Sequence, residues 1–160
     1  MVNNCYEVDD WLDGDVGKIC NEVKVGRNNS LYFGFGMGEP SPIRGVPDRK
    51  EYEWAAGTFS AVWRVLDGEN ILCGSLDSSD CVEGGRSINN LEFGAFASIE
   101  VVSKVHLRVN FFNGICVEFV TAADNDQSSL YIIGPDGCNA TYSHVFGWQL
   151  RCRRRAQLDS

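Results

Sequence analysis

The chain has 160 residues, 44% of them hydrophobic, and a formal charge of −8. That length suits one domain, and no apolar run approaches the roughly 18 residues of a membrane-spanning helix. The acidic balance argues against nucleic-acid binding by the body of the chain, because an acidic surface repels phosphate backbones. Four of the 14 basic residues, Arg151, Arg153, Arg154 and Arg155, gather at the C-terminus. Residues 1–150 are therefore expected to be a single acidic β domain and residues 151–160 a basic tail.

In chain order, residues 5–20 read as an irregular or one-turn helical start, with Asp9, Asp10, Asp13 and Asp15 around Trp11 and Gly14. Strands follow at about 21–26 and 30–37. In the second, Leu31, Phe33, Phe35 and Met37 alternate with Tyr32, Gly34 and Gly36, the period-2 pattern of a half-buried strand. The glycines opposite the aromatics predict a close approach of another backbone or a ligand, or a sharply twisted strand. Residues 38–50 hold three of the four prolines and read as a long loop. Residues 58–66 read as a strand with Phe59, Ala61, Trp63 and Val65 on one face. Asp67-Gly68 turns the chain into a strand at 71–76, with Leu72 on the face of Trp63, which is read as core. A polar loop spans 77–90. Leu91, Phe93, Ala97, Ile99 and Val101 then face inward along a strand at 91–102.

The hairpin at 105–121 fixes its own register. A two-residue Asn113-Gly114 loop would set the apolar stripe of one strand beside the polar stripe of the other. The three-residue loop Phe112-Asn113-Gly114 pairs Val109 with Val117 and Leu107 with Phe119, so one face becomes wholly apolar. A one-residue slip exchanges the faces, and burial selects the second register. Gly114 then takes the left-handed position, which costs glycine nothing. Arg108 falls opposite Glu118. Residues 122–129 read as a loop, 130–133 as a short strand, and Gly134-Pro135-Asp136-Gly137 as a type I turn. A last strand at about 144–153 places Phe146, Trp148, Leu150 and Cys152 on one face. About nine short strands and no long helix predict an all-β, two-sheet antiparallel sandwich or jelly roll, with a closed β-barrel as the alternative.

Seven cysteines is an odd number. There is no CxxC pair near His106 or His144, which argues against a structural zinc site. The spacing suggests bridges Cys5–Cys20 and Cys73–Cys81, then Cys138–Cys152, with Cys116 free. These cysteines and two sequons, Asn28-Asn29-Ser30 and Asn139-Ala140-Thr141, favour a secreted glycoprotein. Residues 1–10 lack the features of a signal peptide, which favours the cytosolic alternative.

Three candidate sites stand out. On the polar face of the hairpin, His106, Arg108, Asn110 and Glu118 can donate, accept and form planar contacts, as sugar hydroxyls require. Cys116 beside His106 is the nucleophile pattern, though a solvent-facing strand pair explains it as well. Trp11 and Trp54, in polar or irregular context, are read as the exposed tryptophans of a ligand platform. Asp124, Asn125 and Asp126 offer hard oxygens for a weak Ca²⁺ site in a loop without EF-hand spacing. No other cofactor is expected. The reading these features favour is a non-catalytic binding module, lectin-like and foremost carbohydrate-binding. Its alternative is a structural or assembly protein, such as a coat subunit or small subunit with a protein partner or second copy. A polysaccharide-acting enzyme using paired carboxylates comes third.

Overall fold

The computed structural model describes residues 5–26, 30–40, 50–59, 62–75, 88, 91–103, 105–120 and 130–152. Outside these lie Asp124, Asn125 and Asp126, Cys81, Asn28 and Asn29, Ala61, most of the loops expected at 38–50, 77–90 and 122–129, and the tail from Arg153. One helix, α1 (Cys5–Leu12), precedes eleven strands among the described residues. In order these are β1 (Cys20–Val25), β2 (Leu31–Pro40), β3 (Lys50–Thr58), β4 (Trp63–Asp67), β5 (Asn70–Gly74), β6 (Phe96–Ser103), β7 (His106–Phe111), β8 (Ile115–Val120), β9 (Leu130–Ile133), β10 (Cys138–Ser143) and β11 (Gly147–Cys152).

They form a six-stranded sheet, β1-β2-β3-β9-β10-β11, and a five-stranded sheet, β5-β4-β8-β7-β6. Every neighbouring pair is antiparallel. The sheets remain open and form a sandwich, so the barrel alternative does not hold. The chain crosses between sheets twice, from β3 to β4 and from β8 to β9. At one edge residues 17–20 join the two layers. The Gly17 N–H donates to the Phe96 carbonyl and the Phe96 N–H to the Lys18 carbonyl, while the Gly36 N–H on β2 donates to the Ile19 carbonyl, all at 2.9 Å.

Alternation puts Phe33 and Phe35 of β2 between the layers, where they meet Phe93, Phe96 and Phe111 with ring centroids 5.5–6.2 Å apart. Burying aromatic and aliphatic side chains of this size supplies the main favourable term in folding. The β7–β8 hairpin has the expected register: Arg108 pairs with Glu118 and Val109 with Val117, and Gly114 has φ +88°.

Several expectations fail for identifiable reasons. Residues 58–66 are not one strand: β3 ends at Thr58, Phe59 is exposed, and Trp63 begins β4 in the other sheet, buried in the core as expected. Met37 is exposed because a bulge between Phe35 and Gly38, with Gly36 at φ +81°, breaks the alternation. Leu72 is the extra residue of a bulge opposite Val65 and Leu66, so Cys73 rather than Leu72 shares the inner face with Trp63. Phe96 replaces Ala97 on the inner face, and Val101 is exposed on an edge strand carrying two bulges. Phe146 sits in the exposed turn before β11. Two strands were not anticipated, β3 before Thr58 and β10. The second of these carries Asn139, which is exposed within the strand.

Cys138 and Cys152, cross-strand partners at the open end of the β10–β11 hairpin, form a disulfide. Cys20 carries a free thiol that donates to the Glu22 carbonyl, so the expected Cys5–Cys20 bridge is not made. Cys73 is buried in the core, and its expected partner lies outside the described residues. Cys116 carries a free thiol.

Candidate functional site

The polar face of the five-stranded sheet comes together as a charged row. Arg64 on β4, Glu118 on β8, Arg108 on β7 and Glu100 on β6 are successive cross-strand partners. Glu118, 5% exposed, is its centre. Its Oε1 accepts from Arg108 Nη2 at 2.5 Å and Nε at 3.1 Å, and its Oε2 accepts from Arg64 Nε at 2.7 Å. His106 Nε2 stands 3.5 Å from Oε1, and Arg108 Nη1 stands 3.6 Å from Glu100. Burial works to raise the Glu118 pKa, but hydrogen bonds from Arg108 and Arg64 outweigh it and hold the carboxyl below its usual range. Burial pushes the Cys116 thiol up despite Arg108, so it stays protonated and is a poor nucleophile. Asn110 donates to Ser98 Oγ at 3.1 Å. Sequence reasoning gathered His106, Arg108, Asn110 and Glu118 correctly but missed Arg64, because nothing local announces that β4 pairs with β8. Beside this row a pocket of about 460 Å³ is walled by Val62, Ile71 and Val120 next to Arg64, His106 and Glu118.

A larger groove, about 750 Å³, runs over the outer face of the six-stranded sheet. It is built from tyrosines and glycines. Tyr32 on β2, Gly57 on β3 and Tyr131 on β9 form one cross-strand row, and residues directly opposite share a face. A β-carbon on Gly57 would run into the Tyr131 phenol, so the glycine lets that ring lie across β3. Tyr52 does the same at Gly34 and Gly38, where added β-carbons would stand 2.6 Å from its Cε2 and 2.7 Å from its Cε1. The glycines of β2 are thus approached by side chains of the same sheet, Tyr52 at Gly34 and Gly38 and Glu53 at Gly36, rather than by another backbone.

Tyr52, Lys18 and Glu53 of the groove have fixed partners. Burial and the hydrogen bond to the Glu22 carboxylate raise the Tyr52 pKa, keeping the phenol a donor. Burial opposes ionisation of Glu22, but hydrogen bonds from Lys24 and Tyr52 lower its pKa on balance. Lys24 also pairs with the Glu22 carboxylate. On the wall, Lys18 Nζ meets Glu53 Oε2 at 2.6 Å, and Lys50 and Glu51 complete the rim.

Trp54 lines this groove with Trp11 packed against it, and neither joins the Glu118 row. The expectation that both are exposed is corrected. Trp54 is 4% exposed, and Trp11 is half-buried against it with ring centroids 4.7 Å apart. Both rings press on Gly134, where a β-carbon would stand 2.5 Å from Trp11 Cζ2. Polar neighbours in sequence misled here, because β3 turns Trp54 inward while Glu53 and Ala55 face out. Among the described residues no group of three or more His, Cys, Asp or Glu is placed to hold a metal ion, and no helix is long and apolar enough to cross a membrane. The chain matches no known family model, no curated protein and no solved structure, so its functional reading rests on its own geometry.

Proposed function

We propose that the protein is a non-catalytic carbohydrate-binding module whose ligand lies in the tyrosine groove. One observation carries this reading: Tyr32, Tyr52 and Tyr131 share a groove of about 750 Å³ on one open sheet face, two of them laid over glycines. Ring faces offer flat apolar area to the C–H face of a sugar, and phenols and carboxylates set at the rim meet its hydroxyls. An aromatic site with a few placed polar groups is the usual make-up of a small-ligand pocket. The oxygens of Glu118 are already engaged by two arginines, so that row has less to offer a sugar. A secreted, glycosylated protein fits the Cys138–Cys152 bridge and the exposed Asn139 of the Asn139-Ala140-Thr141 sequon. Glycan-array screening followed by calorimetry tests the reading. Tyr52→Ala and Tyr131→Ala should each weaken binding of the best array hit about 5- to 10-fold, the scale of one aromatic contact, while Arg108→Ala leaves it unchanged. No hit on the array, or wild-type affinity in both tyrosine variants, rejects it.

A second reading, an assembly role, is supported by the exposed Val62, Ile71 and Val120 around the pocket at Arg64 and His106. Apolar side chains gathered beside fixed charges suit a protein partner. Concentration-dependent light scattering, with and without Ile71→Asp, decides for or against it.

A further inference from the structure

We propose that the pocket beside Arg64 is a ligand site in its own right, which takes a small amphipathic carboxylate: Arg64 holds the carboxylate, and Val62, Ile71 and Val120 cover its apolar body. The pairing of β4 with β5 and β8 builds this site on the outer face of the five-stranded sheet. Arg64 on β4 stands between Gly74 on β5 and Glu118 on β8. Residues directly opposite share a face, so β5 brings no side chain to the place beside the guanidinium. Ile71 pairs with Leu66, two residues on from Arg64 and therefore on the same face. On the other side Val120 pairs with His106, and its N–H donates to the Val62 carbonyl at 3.1 Å. Gly74 is thus a low floor between apolar walls, and the space above it, about 460 Å³, has the size of a small-molecule pocket.

The guanidinium is already oriented. Glu118 Oε2 accepts from Arg64 Nε at 2.7 Å, which fixes the plane of the group. Neither Nη of Arg64 has a hydrogen-bond or ion-pair partner among the described residues, and half of the side chain is exposed. The two Nη groups of an arginine match the two oxygens of a carboxylate. Glu118 does not compete for them, because its other oxygen is held by Arg108. At the far end of the row Arg108 reaches Glu100, whereas the Arg64 end has no second carboxylate among the described residues. The pocket end of the row is therefore left positive, on a chain whose formal charge is −8.

The walls select the rest of the ligand. Val62, Ile71 and Val120 are all exposed. A wholly polar anion would leave that surface wet, while an aliphatic body covers it and gains up to about fourfold in affinity for each methylene buried. An alcohol of the same length would find the walls and miss the charge, and an ammonium would be repelled by Arg64. The site is independent of the tyrosine groove, which lies on the other sheet, and it gives this pocket a different occupant from the assembly reading.

Nitrogen-15 NMR titration of the full chain with butanoate, hexanoate, octanoate and hexan-1-ol tests the site. The carboxylates should shift the Arg64 Nε–H and the amides of Val62, Gly74 and Val120 saturably, with affinity rising along the series. Hexan-1-ol should bind about 10-fold more weakly than hexanoate, the scale of a charge-assisted contact. Arg64→Gln should bring hexanoate down to the affinity of hexan-1-ol and leave the alcohol unchanged. Ile71→Asp should weaken both; its side chain is exposed, so this variant keeps the test open if Arg64→Gln does not fold. Equal affinity for the acid and the alcohol, or the absence of a saturable shift at these residues, overturns the proposal. So do pocket amides that move with protein concentration and not with octanoate, because a second copy of the chain then fills the pocket.

Discussion

Tyr131 lies across Gly57 on the neighbouring strand, its phenol occupying the place where a β-carbon would project. Gly57→Ala should therefore push the ring out of the groove and destabilise the fold by about 1–3 kcal/mol, the usual cost of overpacking. Tyr131→Ala in the same chain should recover part of that loss, because the new methyl group then has room. Urea unfolding of the two single variants and the double variant measures the coupling. Additive losses would mean that the ring does not bear on the glycine.

A charge at the centre of a row behaves differently from one at its end. Glu118→Ala leaves Arg64 and Arg108 without their shared carboxylate and should cost about 2–4 kcal/mol. Arg64, half exposed at its side chain, can turn to water, so Arg64→Ala should cost less than Arg108→Ala. The folded-state pKa of Glu118 is depressed. Its contribution is present above the carboxylate's unfolded pKa and fades as pH falls through the folded value. Wild type should thus lose more stability on acidification below about pH 4.5 than Glu118→Gln does. Thermal melts across pH 2.5–6 check this; parallel curves would refute it.

Asp15 has the opposite sign. Burial raises its folded-state pKa from 3.8 to about 7, so the folded chain holds a proton that the unfolded chain releases. Stability from this group is full below about pH 4 and is lost as pH rises through about 7. Asp15→Asn should match wild type at pH 4 and exceed it at pH 8 by up to about 4 kcal/mol. A difference independent of pH would rule out a proton held by Asp15.

The Cys138–Cys152 bridge closes a loop with a sequence separation of 14. By the loop-entropy account its removal costs about 3 kcal/mol. Cys138→Ser/Cys152→Ser, or wild type in reductant, should melt lower than the oxidised chain. Under denaturing, non-reducing conditions Cys20 and Cys116 should take up a thiol label while Cys138 and Cys152 do not, as peptide mass spectrometry would show.

Where each strand carries its own evidence, the sequence was readable. The β7–β8 hairpin has two apolar stripes that fit in only one register, and β9 is a compact apolar run between a loop and a Pro-Asp-Gly turn. Local pattern was silent where a neighbour supplies the missing bulk. In β3, Ala55, Ala56 and Gly57 look too small for a strand because Tyr131 fills the space above Gly57. Cys-Asn-Ala-Thr-Tyr-Ser of β10 has little apolar content because β9 and β11 hold it from both sides. The groove escaped notice for the same reason. Its three tyrosines stand on three strands, and only the pairing of β3 with β9 brings the last beside the first. Gly34 and Gly36 were the available signal, read as places where another backbone or a ligand comes close, whereas side chains of the same sheet, Tyr52 and Glu53, fill that space.

That β3–β9 pairing has a kinetic consequence. It joins residues 55–58 to residues 130–133, with all five strands of the other sheet lying between them in the chain. The β1–β2–β3 and β9–β10–β11 meanders can form from near neighbours, but their junction must wait for a very long loop to close. Until it closes, β3 and β9 each expose an unpaired edge to other chains. A slow late phase on refolding, and domain-swapped dimers at high protein concentration, are the behaviours this junction imposes on the chain.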